Sequence, residues 1–491
     1  MLSQGIRQLI RPYDLTFQLV VAGGVGLLLG AASLWFSPLW VLGGVLGVLC
    51  LTGIAYRPEL GLLTIVLITG GLIDFERLPL LTMGPISLHI TDIILLYLLA
   101  LVLTKALVVP TFKVVRTPLD VPLIWFCFAI LLSAILGIAQ SPVGTNYVLR
   151  RLRPLAYYLG FFAVTNLIRE RRQLSVLING LFVIAVLASL AMLIQVLDPS
   201  IQLVRTTVVQ VGTAGQEYAG VVRTYIQAER LIYVMLLASV CSLVLGGRWL
   251  PSVLEFTRAG ILGIGLLLSF QRNYWLSMIS MLALTVVLVS WTERSRILRW
   301  AIVGVVAVAL LVSLQGGGLD RYVVAARDRL IWGMRPETLA QDSSTQMRVM
   351  ETRYAIQSIA QHPLLGIGLG NLYRPFTADD KYHVLKHPGI GLRWYMHNAH
   401  LWVWVMMGLM GFIPFIWLYS SFLVRGFTRW RKIADPKLRP VVLGFTLAIL
   451  GQAISNVVAP NFVQSWILIV FAIIMGINEL IFRWEVSEAR Q

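Results

Sequence analysis

An all-α bundle that crosses a membrane many times is the fold class this sequence predicts, and three observations predict it. Mean hydropathy over the 491 residues is +0.80, and 58% of them are hydrophobic. Only 13% are charged, against roughly a quarter in a soluble domain. Apolar runs of about 20 residues recur along the chain, the length of helix that spans a bilayer core of ~30 Å. Lipid cannot satisfy open backbone hydrogen bonds, so such runs are helices. The expectation is a polytopic transmembrane helical bundle of about 12–14 spans. It includes a long structured extracytoplasmic loop containing amphipathic helices.

The spans follow in order. The opening "MLSQGIRQLIRPYD" leads into a full-length apolar span without a small-residue cleavage pattern, so no cleaved signal is expected. About fourteen candidate spans cover 15–36, 39–56, 60–73, 91–109, 119–138, 152–168, 174–196, 230–246, 255–270, 274–292, 297–315, 396–424, 440–458 and 462–482. The runs at 60–73 and 255–270 are the weakest. Cys50, Cys127 and Cys241 all sit in apolar runs and are expected to pack there. The organisation expected is an N-terminal membrane region over 1–315, an extracytoplasmic loop over 316–395, and C-terminal membrane helices with a short tail over 396–491.

A net charge of +17 would suggest nucleic acid as partner of a soluble protein. Here Lys and Arg instead hold loops on the cytoplasmic side, and no nucleic acid is expected. Alternating the spans from a cytoplasmic N-terminus puts "RERRQ" and "RGFTRWRKIADPKLR" inside, with both termini cytoplasmic. The segment 316–395 then lies outside, and a loop that long carries structure of its own. A helix is predicted over about 345–361. Ser343 and Gln346 have capping-box spacing at its start, and His362–Pro363 end it. Met347, Met350 and Tyr354 form an apolar stripe along it.

Arginine on the outer face is the anomaly in this arrangement. Arg150, Arg151, Arg153, Arg223, Arg230 and Arg272 fall there, and Arg348, Arg353, Arg374 and Arg393 lie in the long loop. Arg272 separates two apolar runs, beside only Gln271 and Asn273, and a charge at such depth needs a cavity or a partner. Each arginine could bind lipid headgroups or pair with Glu217, Glu229 or Glu351. As a group they outnumber the nearby acids. A guanidinium fork fits phosphate oxygens in two places at once, so the cluster suits a lipid-linked phosphate or pyrophosphate.

Five of the six histidines fall between 362 and 400. The pairs His383/His387 and His397/His400 have spacings that could place two metal ligands on one helix face. No cysteine joins them, Pro388 and Gly389 break the first pair, and no metal is expected. His397 lies where the polar loop turns into the run "LWVWVMMGLMGFIPFIWLY". It either anchors a helix start or accepts a proton near pH 7 from a substrate whose tail lies in lipid. Asn398 beside it could orient the imidazole or the substrate. The stretch "HPLLGIGLGN" places Gly366, Gly368, Gly370 and Asn371 in a turn. A nucleotide loop would need a preceding strand and, for a P-loop, a following Lys-Ser/Thr, and neither is present. The glycines suit a compact turn whose backbone passes close to the membrane surface or to a glycan.

The run "MRVMETRYAIQSIAQHPLLGIGLGNL" followed by "HNAHLWVWVMMGLMGFIPF" resembles the O-antigen ligase and polymerase superfamily. "QRNYWLSM" resembles that family's arginine element at the end of a span, so the resemblance covers about Arg272 to Phe415. It implies a membrane glycosyltransferase that moves a glycan from undecaprenyl pyrophosphate to an acceptor hydroxyl. The site would face outward from the bacterial cytoplasmic membrane. In ligases the acceptor is a lipid A–core sugar, and in polymerases another lipid-linked repeat. Some members have been proposed to transport inorganic carbon, which keeps a small-anion (bicarbonate) transporter as an alternative. The resemblance implies that Arg272 and Arg348 hold the pyrophosphate and that His397 is the base, without a cofactor. Arg223, Arg230 and Arg353 would assist. This chain has Met406 and Met407 where ligases often carry an acid, and more spans than is usual for the family. Asp74 and Glu76 are the only acids placed to serve a metal-using rival in the first outer loop.

Overall fold

Helices dominate the computed structural model. It describes residues 38–488 except 74–77, 79, 84–85, 141–143, 199, 202, 204–208, 211–221, 224–225, 248, 315–324, 327–342, 377–392 and 464–466. The predicted span 15–36, Asp74, Glu76, His383 and His387 lie outside the described residues. The chain divides into two compact units, Met1–Pro58 and Glu59–Gln491. The first contributes α1 (Pro38–Tyr56).

The second unit runs through α2 (Pro58–Thr69), α3 (Ile90–Val108), α4 (Asp120–Gln140), α5 (Thr145–Ala156), α6 (Gly160–Leu167), α7 (Arg171–Leu197) and α8 (Glu229–Leu245). It continues with α9 (Ser252–Leu268), α10 (Arg272–Leu288), α11 (Trp291–Leu314), α12 (Ser343–Gln361), α13 (Ala399–Arg429), α14 (Leu438–Ser455) and α15 (Leu468–Glu488). Two short antiparallel hairpins, Leu80–Met83 with Ile86–His89 and Val209–Gln210 with Val222–Arg223, supply the strands among the described residues.

On length and composition α3, α4, α7, α13 and α14 can cross a membrane, which makes this an all-α multi-pass membrane protein. Five such helices among the described residues are fewer than the 12–14 expected for the whole chain. Part of the difference is length: α8, α9 and α10 have 17 residues each, or about 26 Å. Elsewhere a predicted span is broken. The run 152–168 becomes α5, a 3-10 turn at Tyr157–Leu159, and α6. Pro154 lies in the last turn of α5, and proline withholds an amide from the helix ladder.

Burial separates core from lipid-facing helices. α8 is buried along its whole length, as an all-round apolar helix inside a bundle must be. It packs on α14 and α9, and α14 also meets α10. On α4 the stripe Leu123, Phe126, Ile130 and Ser133 is buried. Ile124, Phe128, Leu131 and Ile135 are exposed on the other face. An apolar stripe turned outward at helical spacing is what lipid, rather than water, tolerates.

The glycine turn has a more specific role than its sequence suggested. α13 is not continuous: Gly408 has φ 62° and ψ −163°, and the helix breaks there. Residues 363–369 fill the break. Leu409 and Met410 donate their amides to the Pro363 and Leu364 carbonyls at 2.9 and 3.1 Å. Ile367 and Gly368 donate to the Val405 and Met406 carbonyls, also at 2.9 and 3.1 Å. The turn is tied to α4 as well: the Leu369 amide donates to the Ser133 carbonyl at 2.8 Å, and the Ser133 hydroxyl donates to the Met406 carbonyl at 2.7 Å. Backbone groups freed by the break thus find partners inside the protein, as they must in lipid.

Such close backbone approach leaves no room for side chains. A Cβ on Gly366 would sit 2.6 Å from the Met407 and Gly408 nitrogens, and one on Gly408 would sit 2.2 Å from the Leu364 carbonyl. Gly408→Ala is therefore expected to lower the thermal midpoint of the purified protein sharply. The strained backbone alone costs about 1–3 kcal/mol, and the clash adds to it. Gly260→Ala, in open space on α9, is the control and should hold or raise the midpoint, since alanine is the better helix former by up to about 1 kcal/mol. Equal midpoints for the two variants would show that the break is loosely filled.

Candidate functional site

Three helix N-termini meet the end of α14. The Ala399 amide, first in α13, donates to the Asn456 carbonyl at 2.8 Å, and His400 Nε2 lies 3.0 Å from the Ala453 carbonyl. Asn273, second in α10, donates to the Ser455 hydroxyl at 2.6 Å. Arg230, second in α8, donates through Nε to Asn461 Oδ1 at 3.0 Å, and the Tyr274 hydroxyl donates to the same oxygen at 3.3 Å. Asn461 in turn donates to Gln452 Oε1 at 2.8 Å. Helix N-termini carry partial positive charge and unsatisfied amides, so their convergence favours anions.

Arg272 is the first residue of α10 and stands half-exposed at this end. The turn before it is strained: Phe270 is the non-glycine residue with positive φ, at 49°, and its ring packs 5.7 Å from that of Trp275. Gln271 donates to Glu229, which joins α10 to α8. Glu229 is therefore engaged, and it also accepts from the Ile226 amide at 3.2 Å.

α12 lies against α13 and carries the second arginine. The apolar stripe Met347, Met350 and Tyr354, expected to rest on the membrane or on a neighbouring span, is half-exposed. Glu351, Ala355 and Ser358 are the buried residues. The Glu351 carboxylate reaches His397. Its Oε2 accepts from the His397 amide at 2.9 Å, and Oε2 and Oε1 stand 2.9 and 3.1 Å from His397 Nδ1. Arg348 is one turn before Glu351 and on the same face, half-exposed. Arg353 points away on the exposed face.

His397 is the histidine left with reach. Its side chain keeps 26% exposure, and Nε2 has no hydrogen-bond partner among the described residues. The Tyr395 ring stands edge-on to it at 4.9 Å. His400 points instead to α14, so the two imidazoles do not converge on one point. Asn398 caps α13, its Oδ1 accepting from the Leu401 amide at 3.1 Å. His362 ends α12 and is exposed. His89 precedes α3, and burial, reinforced by Arg153, lowers its imidazole to about 4, so it stays neutral at physiological pH.

The remaining expected residues are placed as follows. Arg230 is buried and bonded to Asn461 and Gln227. Arg223 lies in the second hairpin, and its side chain is outside the described residues. Gly366, Gly368 and Gly370, with φ of 69°, 86° and 86°, turn the chain into the α13 break. Asn371 closes the turn by donating to the Ile367 carbonyl, and its Oδ1 is buried with no hydrogen-bond partner among the described residues.

Residues 259–416, from α9 to the middle of α13, match the O-antigen ligase family. They hold Arg272, Arg348, Glu351, the glycine turn and His397. No curated protein matches the chain. The O-antigen ligase match supports activity of the ligase or polymerase type, with a lipid-linked glycan and a saccharide acceptor as partners in general. Gln452 and Asn461 lie beyond the matched O-antigen ligase stretch and still reach its site. They escaped the sequence reading, although polar residues in or beside an apolar run were a signal.

Proposed function

We propose that this protein transfers a glycan from undecaprenyl pyrophosphate to an acceptor hydroxyl, as an O-antigen ligase acting on a lipid A–core acceptor. The reaction inverts the anomeric centre and needs no metal or cofactor. What supports this reading is that the starts of α13 and α10, beside His397 and Arg272, both bond to the end of α14, and that Glu351, one turn after Arg348, contacts His397, all within the O-antigen ligase match. His397 takes the proton of the acceptor hydroxyl. The oxygen bonds to the anomeric carbon, and the bond from that carbon to the pyrophosphate oxygen breaks. Undecaprenyl pyrophosphate leaves with the electron pair. Arg272 and Arg348, assisted by Arg223 or Arg230, stabilise the developing charge as preorganised donors; Arg353, on the exposed face of α12, takes no part. The site faces outward from the bacterial inner membrane, with both termini in the cytoplasm.

A polymerase would use the same groups with a second lipid-linked repeat as acceptor. Purified protein given undecaprenyl-pyrophosphate glycan is the test. Release of undecaprenyl pyrophosphate only when lipid A–core is present is the expected result. Release with a second lipid-linked repeat alone would make it a polymerase. Bicarbonate uptake into vesicles without any transfer would overturn the enzyme reading in favour of the transporter.

A further inference from the structure

We infer that Glu351 is the positioning residue for His397, holding its imidazole as the Nδ1–H tautomer so that Nε2 is the atom that takes the acceptor proton. The inference rests on the reading of His397 as the base. Glu351 keeps only 2% of its side-chain surface exposed, and among the described residues its carboxylate bonds only to His397. The backbone contact fixes the direction of the others. An amide can only donate, so Oε2 is an acceptor there. An ionised carboxylate has no proton to give, so Nδ1, 2.9 Å from the same oxygen, is the donor. That leaves the Nε2 lone pair on the exposed side of the ring. The backbone bond also fixes the carboxylate against rotation, and α12 and α13 hold its two ends.

The proton balance is closed within the site. The acceptor oxygen gives its proton to Nε2 as its bond to the anomeric carbon forms. The imidazolium produced lies against the Glu351 carboxylate, which stabilises the charge without taking the proton. The proton leaves Nε2 to solvent after the saccharide product and undecaprenyl pyrophosphate depart.

Glu351→Gln separates positioning from folding. Glutamine fills the same space, and its carbonyl can accept from the His397 amide. Its NH2 then takes the place of Oε1, 3.1 Å from Nδ1, where a donor opposes the Nδ1–H and favours the Nε2–H tautomer, which weakens the base. The expected result is a kcat about a hundredfold lower or more, the scale of a lost acid–base group. KM for the lipid-linked donor and the thermal midpoint should stay near those of the parent. Glu351→Asp should recover part of the rate. The decisive measurement is the double variant: with His397→Ala present, Glu351→Gln should cost nothing further, because residues acting as one unit are not additive. A parent-like rate for Glu351→Gln, or a further large loss in the double variant, would overturn the inference while the base assignment stands. Full transfer by His397→Ala would remove the base assignment itself.

Discussion

His397→Ala should lose glycan transfer by about a hundredfold or more and still bind the lipid-linked donor. The two readouts part because the roles are divided. Pyrophosphate is held by guanidinium groups, whereas the imidazole meets only the acceptor hydroxyl. Alanine removes a ring that is partly exposed, bonds to Glu351 and meets Tyr395 edge-on, so the fold should survive. His400→Ala is the comparison. His400 is tied to the Ala453 carbonyl and packs on Phe415, so its loss should act on the helix contact and only weakly on the rate. The assay is turnover of purified protein with donor and acceptor, beside a direct binding measurement for donor alone. Equal losses from both histidines, together with sensitivity to chelators, would point to a metal site instead.

Arg272→Ala and Arg348→Ala should each abolish transfer, a loss of about a hundredfold to a thousandfold on the scale of one preorganised donor. Here donor binding should fall with the rate, the reverse of the His397 result. Lysine at either position should rescue poorly, because a point charge cannot reproduce the two-pronged contact of a guanidinium with a pyrophosphate. Both positions are half-exposed, so folded yield should change little. Normal transfer by both alanine variants would end the pyrophosphate assignment.

Much of this arrangement was legible in the sequence, and the limits have physical causes. His362–Pro363 set the end of α12 because proline stops a helix. The change from polar loop to apolar run set the start of α13 and placed His397 beside it. What stayed hidden depends on contacts between residues far apart along the chain. Glu351 and His397 are 46 positions apart, and no pattern within α12 alone pairs a carboxylate on it with an imidazole ahead of α13. The break in α13 was hidden for a similar reason. Gly408 sits in an unbroken apolar run, and nothing local says that a second segment will supply the missing hydrogen bonds.

The filled break also bears on how the protein is made. Residues 399–429 leave the ribosome as one apolar stretch with a left-handed glycine in it. Without the turn, the Val405 and Met406 carbonyls and the Leu409 and Met410 amides would meet lipid unsatisfied, at several kcal/mol for each group. Their partners at 363–369 have already been synthesised and must wait for them. Membrane integration of α13 and docking of the arm that carries Arg348 and Glu351 are therefore one coupled step of biogenesis. Damage to the glycine turn would then surface first as a poorly inserted protein cleared by proteases, before any fault in chemistry could be seen.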